Sequence, residues 1–92
     1  MAFPQWPPKD PDEVLDYNID WSPRLTSPDV ISASEWFVPD GLVADNEEMS
    51  ASSTTIWLSS GALAAAYDVL NRVSTLEGRI MDQTVTLKIK TK

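Results

Sequence analysis

The chain contains no cysteine and no histidine, and these two absences remove much of the chemistry open to a small protein. Without Cys there is no disulfide framework, no thiolate nucleophile and no zinc-thiolate site. Without His the usual general base and the commonest metal ligand are missing, so hydrolase and transferase chemistry has few tools. Glycine is scarce, at three residues. Asp10, Asp12 and Asp16 offer oxygen ligands at short spacing, but no glycine supplies the sharp turn of a calcium loop and no glutamate closes it at the twelfth position. Neither a metal nor a cofactor is expected. No apolar run approaches the length of a membrane span, and the N-terminus lacks the basic and apolar regions of a signal peptide; a soluble chain made in a cytoplasm, without a membrane partner, is expected. Basic residues are few as well, 7 against 14 acids for a net charge of −7, which argues against direct binding of nucleic acid, since backbone binding needs a basic surface that displaces counterions.

The charge that is present is unevenly spread. Residues 1–48 hold eleven acids and two bases, residues 49–92 three acids and five bases. Opposed potentials of this kind can orient subunits in a ring or stack, or can neutralise each other as neighbouring strands of one domain. With 92 residues the chain is one domain with a limited core, which favours a protein that works in an assembly.

Four of the seven prolines (Pro4, Pro7, Pro8, Pro11) lie near the N-terminus. Each fixes φ and removes a backbone donor, so this arm is neither helix nor inner strand and is expected to be extended. A stiff segment loses little entropy on docking, and Phe3 and Trp6 offer large apolar areas to a partner groove. The arm is expected to add nothing to the core.

Beyond the arm, the period is mostly that of strands. Tyr17, Ile19 and Trp21 share one face while Asp16, Asn18 and Asp20 take the other. After a turn near Ser27-Pro28-Asp29, Val30, Trp36 and Val38 face inward with Ser32 and Ser34 between them. Pro39-Asp40-Gly41 closes that strand. Residues 42–44 form a short strand and residues 45–53 an acidic, polar loop with a weak strand at its end. Its Asp45, Glu47 and Glu48 do not make a glycosidase pair, because that reaction needs two carboxylates across a sugar-sized cleft. Thr54, Ile56 and Leu58 alternate in the next strand, and Val85, Leu87 and Ile89 in the last, with Lys88 and Lys90 on its outer face.

Residues 61–73 are ambiguous. Leu63, Ala66, Leu70 and Val73 have helical spacing in an alanine-rich run, whereas Tyr67, Val69, Asn71 and Val73 would share one side of a strand that turns at Thr75-Leu76-Glu77-Gly78. Flanking short strands and turn signals favour the strand, as the penultimate member of a sandwich; the conformation of residues 63–66 stays open. Of the tryptophans, Trp36 and Trp21 are core candidates. Trp57, between Ile56 and Leu58, points opposite to them and so outward if they face the core.

Lys9-Asp10-Pro11-Asp12-Glu13-Val14-Leu15-Asp16-Tyr17, Ile19-Asp20-Trp21-Ser22, Ser34-Glu35-Trp36, Val38-Pro39-Asp40-Gly41-Leu42, Trp57-Leu58-Ser59, Tyr67-Asp68-Val69 and Gly78-Arg79 together resemble a family of small tailed-bacteriophage virion proteins of the fibre-tail adaptor type. The resemblance spans nearly the whole chain; the alanine run before Tyr67 departs from it. It implies an all-β fold, a small immunoglobulin-like β-sandwich over residues 16–92 behind an extended proline-rich arm over residues 1–15. It further implies a non-catalytic virion part, made in the bacterial host cytoplasm, linking tail or neck to fibre or neighbouring virion proteins, with copies of itself in a symmetric oligomer. A capsid decoration protein and a small carbohydrate-binding module are the alternatives. The expected partner-binding residues are Phe3, Trp6, Pro7 and Pro8 of the arm and Trp57 of the domain.

Overall fold

Tyr17 and Ile19 are buried while Asp16, Asn18 and Asp20 are exposed, the alternation that a strand with one face on a core requires. The same rule builds the rest of the molecule. A computed structural model describes residues 3–92; Met1 and Ala2, the first two residues of the expected arm, lie outside the described residues. Six strands follow in order: β1 (Leu15–Asp20), β2 (Ile31–Phe37), β3 (Leu42–Met49), β4 (Ser53–Ser60), β5 (Ala66–Thr75) and β6 (Ile80–Lys88). Their only helical companion among the described residues is a single 3-10 turn, Ser22–Arg24, started by Pro23 in its first turn.

The strands form two three-stranded antiparallel sheets, ordered β1-β4-β3 and β2-β5-β6. Two apolar clusters lie between them. One joins Tyr17, Leu42, Ile56 and Leu58 of the first sheet to Val69 and Leu87 of the second, with Ile89. The other joins Ile19 and Trp21 to Ile31, Val73 and Val85. In a chain without disulfides, a buried polar group also ties the layers together. Asn71 Oδ1 accepts from Thr54 Oγ1 at 2.7 Å and from Trp21 Nε1 at 3.1 Å, and its amide donates to Ser34 Oγ and the Glu35 carbonyl. Every polar atom of the Asn71 side chain is thereby paired, which is the condition for such a group to stabilise a core.

Two expectations are corrected, and one question left open is resolved. Residues 45–49, expected as loop, extend β3 to Met49; seven of its eight residues are exposed, so side chains with poor strand propensity sit in water on an edge while the backbone pairs with β4. A bulge between Ala44 and Asn46 accommodates Asp45. In β2 the inward apolar residue is Ile31 rather than Val30, because a bulge between Ile31 and Ala33 shifts the alternation by one before Ser34 and Trp36. Residues 61–65 are neither helix nor strand. They form a turn with Ala64 at φ 67°, and β5 starts at Ala66. From there the strand reading holds, with Tyr67, Val69, Asn71 and Val73 turned inward.

Candidate interaction surfaces

Residues 4–9, within the expected arm, lie along β6 and the residues that follow it. Gln5 and Lys9 form parallel bridges to Thr86 and Ile89. The Trp6 N–H donates to the Thr86 carbonyl at 3.1 Å, Thr86 N–H to the Pro4 carbonyl at 2.9 Å, Lys9 N–H to the Lys88 carbonyl at 3.0 Å, and Lys90 N–H to the Lys9 carbonyl at 2.9 Å. The prolines are compatible with this because the donors come from the residues between them. Trp6, half-buried, stacks on Tyr17 with ring centroids 4.8 Å apart and meets Trp36 at 6.2 Å. Its indole N–H donates to the Asn18 carbonyl of β1 at 3.2 Å. Held by its backbone to β6 and by its ring to β1, Trp6 bridges the two sheets and packs on both core clusters. The expectation that the arm adds nothing to the core is therefore corrected.

Lys9 is the least foreseeable member of this contact. It is 0% exposed, and its ammonium donates to the Ser60 and Asp10 carbonyls. Burial pulls its pKa down from the usual lysine value, against the opposing influence of Glu13, Asp10, Asp12 and Asp45. A lysine between Pro8 and Asp10 carries no sequence signal for burial. Below the arm, burial likewise pushes the Tyr17 hydroxyl up to about 12, with Glu13 and Asp16 adding to the shift. Of the other arm residues, Phe3 is 49% exposed, Pro7 is exposed and Pro8 half-buried.

Trp57 lies on the central strand of the β1-β4-β3 sheet, on the side away from the core, because Ile56 and Leu58 beside it are both fully buried. It is half-buried, belongs to neither core cluster, and is flanked in register by Asp16 on β1 and Asn46 on β3. Asn18 and Glu48 flank Thr55, Asp20 flanks Ser53, and Val43, 48% exposed, pairs with Ser59. The three strands carry five acids and no base.

The bases lie elsewhere, and most are occupied. Arg72 holds Asp82 with two bonds of 2.8 and 3.1 Å. Arg79 pairs with Asp29 at 2.6 Å and Glu77 at 3.7 Å, and Lys92 with Glu13 at 2.9 Å. Arg24 stacks over Trp21 at 4.9 Å and donates to the Asp82 carbonyl. Among the described residues this leaves Lys88 and Lys90 outside any such contact. Asp29 is a buried anchor: burial pushes its pKa up, but hydrogen bonds from Thr75, the Glu77 N–H, Arg79 and the Val30 N–H outweigh that and hold it below the ordinary carboxylate value.

Beside β2 and β5, a hollow of about 540 Å³ is lined by Trp36, Phe37, Val38, Pro39, Asp68 and Leu70. Its one titratable group is Asp68, which accepts from Thr86 Oγ1 at 2.8 Å. Among the described residues no three acids are grouped so as to hold a metal ion, and no helix is long and apolar enough to cross a membrane.

A family model described as podophage GP4 fiber-tail adaptor protein gp77 matches residues 9–88. No curated protein matches the chain.

Proposed function

The chain belongs to the podophage GP4 fibre-tail adaptor family, and on that premise we propose that it is a non-catalytic structural part of the virion, joining tail or neck to fibre or to neighbouring virion proteins. The observation that carries this reading is the family match over residues 9–88. The described residues are in keeping with it: Arg72, Arg79 and Lys92 are held in ion pairs, and the buried Lys9 ammonium is held by backbone carbonyls.

We read the fold as immunoglobulin-like. The pairings β1-β4-β3 and β2-β5-β6 correspond to the B-E-D and C-F-G pairings of a constant-type immunoglobulin sandwich without its first strand. The hydroxyl of Tyr67, near the start of β5, accepts the Ala62 N–H at 2.9 Å across the β4–β5 corner, the position of that fold's tyrosine corner. In this reading the chain divides into an arm, residues 1–15, and a domain, residues 16–92, and arm residues 4–9 take the place of a first strand along the β6 edge.

Partner contacts fall to the side chains that this packing leaves in reach: Phe3 and Pro7 on the arm, with Pro8 beneath them, and Trp57 on the domain. Trp6 contributes by holding the arm in place. Symmetric copies of the chain in the particle are part of the same reading. Deleting the reading frame from the phage tests it. Full heads with tails that lack attached fibres and fail to adsorb are expected; normally fibred particles with fragile shells would point to capsid decoration instead.

A further inference from the structure

We propose that the outer side of the β1-β4-β3 sheet, centred on Trp57, docks a different virion protein through a basic surface, and that it does not receive a second copy of this chain. The inference rests on the virion reading and adds the chemistry and identity class of the partner. Its first support is Trp57 itself, an aromatic side chain on a central strand, outside both core clusters. Beside it lies the exposed Val43, two residues along β4 by register. Large aromatics in such a setting are the residues that dominate binding energy at interfaces.

Charge selects the occupant. Asp16, Asp20 and Glu48 share the outer side with Trp57 by strand register, Asp45 bulges beside it, and no lysine or arginine stands on any of the three strands. None of these four acids is in an ion pair among the described residues. A two-fold contact between copies would set this acidic side against itself, which is repulsive. A head-to-tail contact would need free cations, and the chain has spent most of its own: Arg72, Arg79 and Lys92 are paired, Lys9 is buried and Arg24 is stacked on Trp21. Lys88 and Lys90 alone do not match four unpaired acids. A partner with clustered arginines or lysines does, since one cation can lie over the Trp57 ring while others meet Asp16, Asp45 and Glu48.

The test uses particles from a phage lacking the reading frame, reconstituted with purified full-length chain. Incorporation is expected to fall roughly tenfold or more for Trp57→Ala and for the paired reversal Asp16→Lys with Glu48→Lys. Asp68→Lys on the opposite sheet should incorporate as the parent does. Thermal melts establish that each variant is folded. A photo-crosslinker at Ser59, which leaves Trp57 and the acids intact, should form adducts with a lysine- or arginine-rich segment of another virion protein. Parent-like incorporation of folded Trp57→Ala and of the charge reversal, or Ser59 adducts to a second copy of this chain, would overturn the proposal. Failure of the unaltered chain to incorporate at all is a separate result: it removes the virion reading, and this inference with it.

Discussion

Asn71 joins three strands through one side chain, accepting from Trp21 and Thr54 and donating to Ser34 and the Glu35 carbonyl. Asn71→Leu keeps the shape and strands these partners in the core. A loss of about 2 to 4 kcal/mol is expected in urea denaturation, since each buried unpaired group costs about 1 to 3 kcal/mol. Asp29 contributes to the acid response beside Asp10, Glu13, Asp20 and Asp82, which are likewise held below their ordinary values. Its folded pKa lies below the ordinary 3.8, so the unfolded chain takes up the proton first; the stabilisation is complete above that value and disappears as the pH falls through the folded pKa. Asp29→Asn should therefore flatten the acid limb of a stability profile recorded from neutral pH down to roughly pH 2. An unchanged limb would mean that Asp29 is not held as the hydrogen bonds imply. Asn71 was legible, because the alternation through Tyr67, Val69 and Val73 already put it inside. Lys9 was not: nothing in a local pattern marks a lysine buried against the Ser60 carbonyl, fifty-one residues along the chain.

At the scale of elements, the arm is a seventh extended segment bound to β6 and, through Trp6, to β1. Trp6→Ala should cost about 2 kcal/mol, the value of burying part of a large aromatic side chain that also stacks. Removing residues 1–8 should lower the denaturation midpoint at least as far while unfolding stays cooperative; a truncated chain as stable as the parent would show that the arm does not pack on the domain in solution. The strands with one wet face, β1, β4 and β6, were readable because burial of one face imposes a period of two. β3 was not, since an edge strand with almost no buried side chains has no period to show. Alanines 64–66 read locally as helix, yet the chain crosses there from β4 of one sheet to β5 of the other, and the long-range pairing of β5 with β2 and β6 overrides propensity. The arm's prolines predicted extension but said nothing of where it would lie.

For the whole molecule, the division of charge seen along the sequence becomes a division in space. The β1-β4-β3 sheet is acidic and unneutralised, whereas the ion pairs gather around the other sheet and the loops. Long-range steering toward a basic partner should then weaken as ionic strength rises and the screening length shrinks. Incorporation into reconstituted particles is expected to slow steadily with added sodium chloride, and salt-independent incorporation would leave Phe3 and Trp57 as purely apolar anchors. The family match bears on the same molecule-scale question, the place of this chain in a particle. A cryo-EM map of the intact virion tests that most directly. The six-stranded domain is expected at the junction of tail and fibre, with the Trp57 side of its acidic sheet against a basic neighbour. A map in which the domain is missing, or is spread across the capsid lattice, would contradict it.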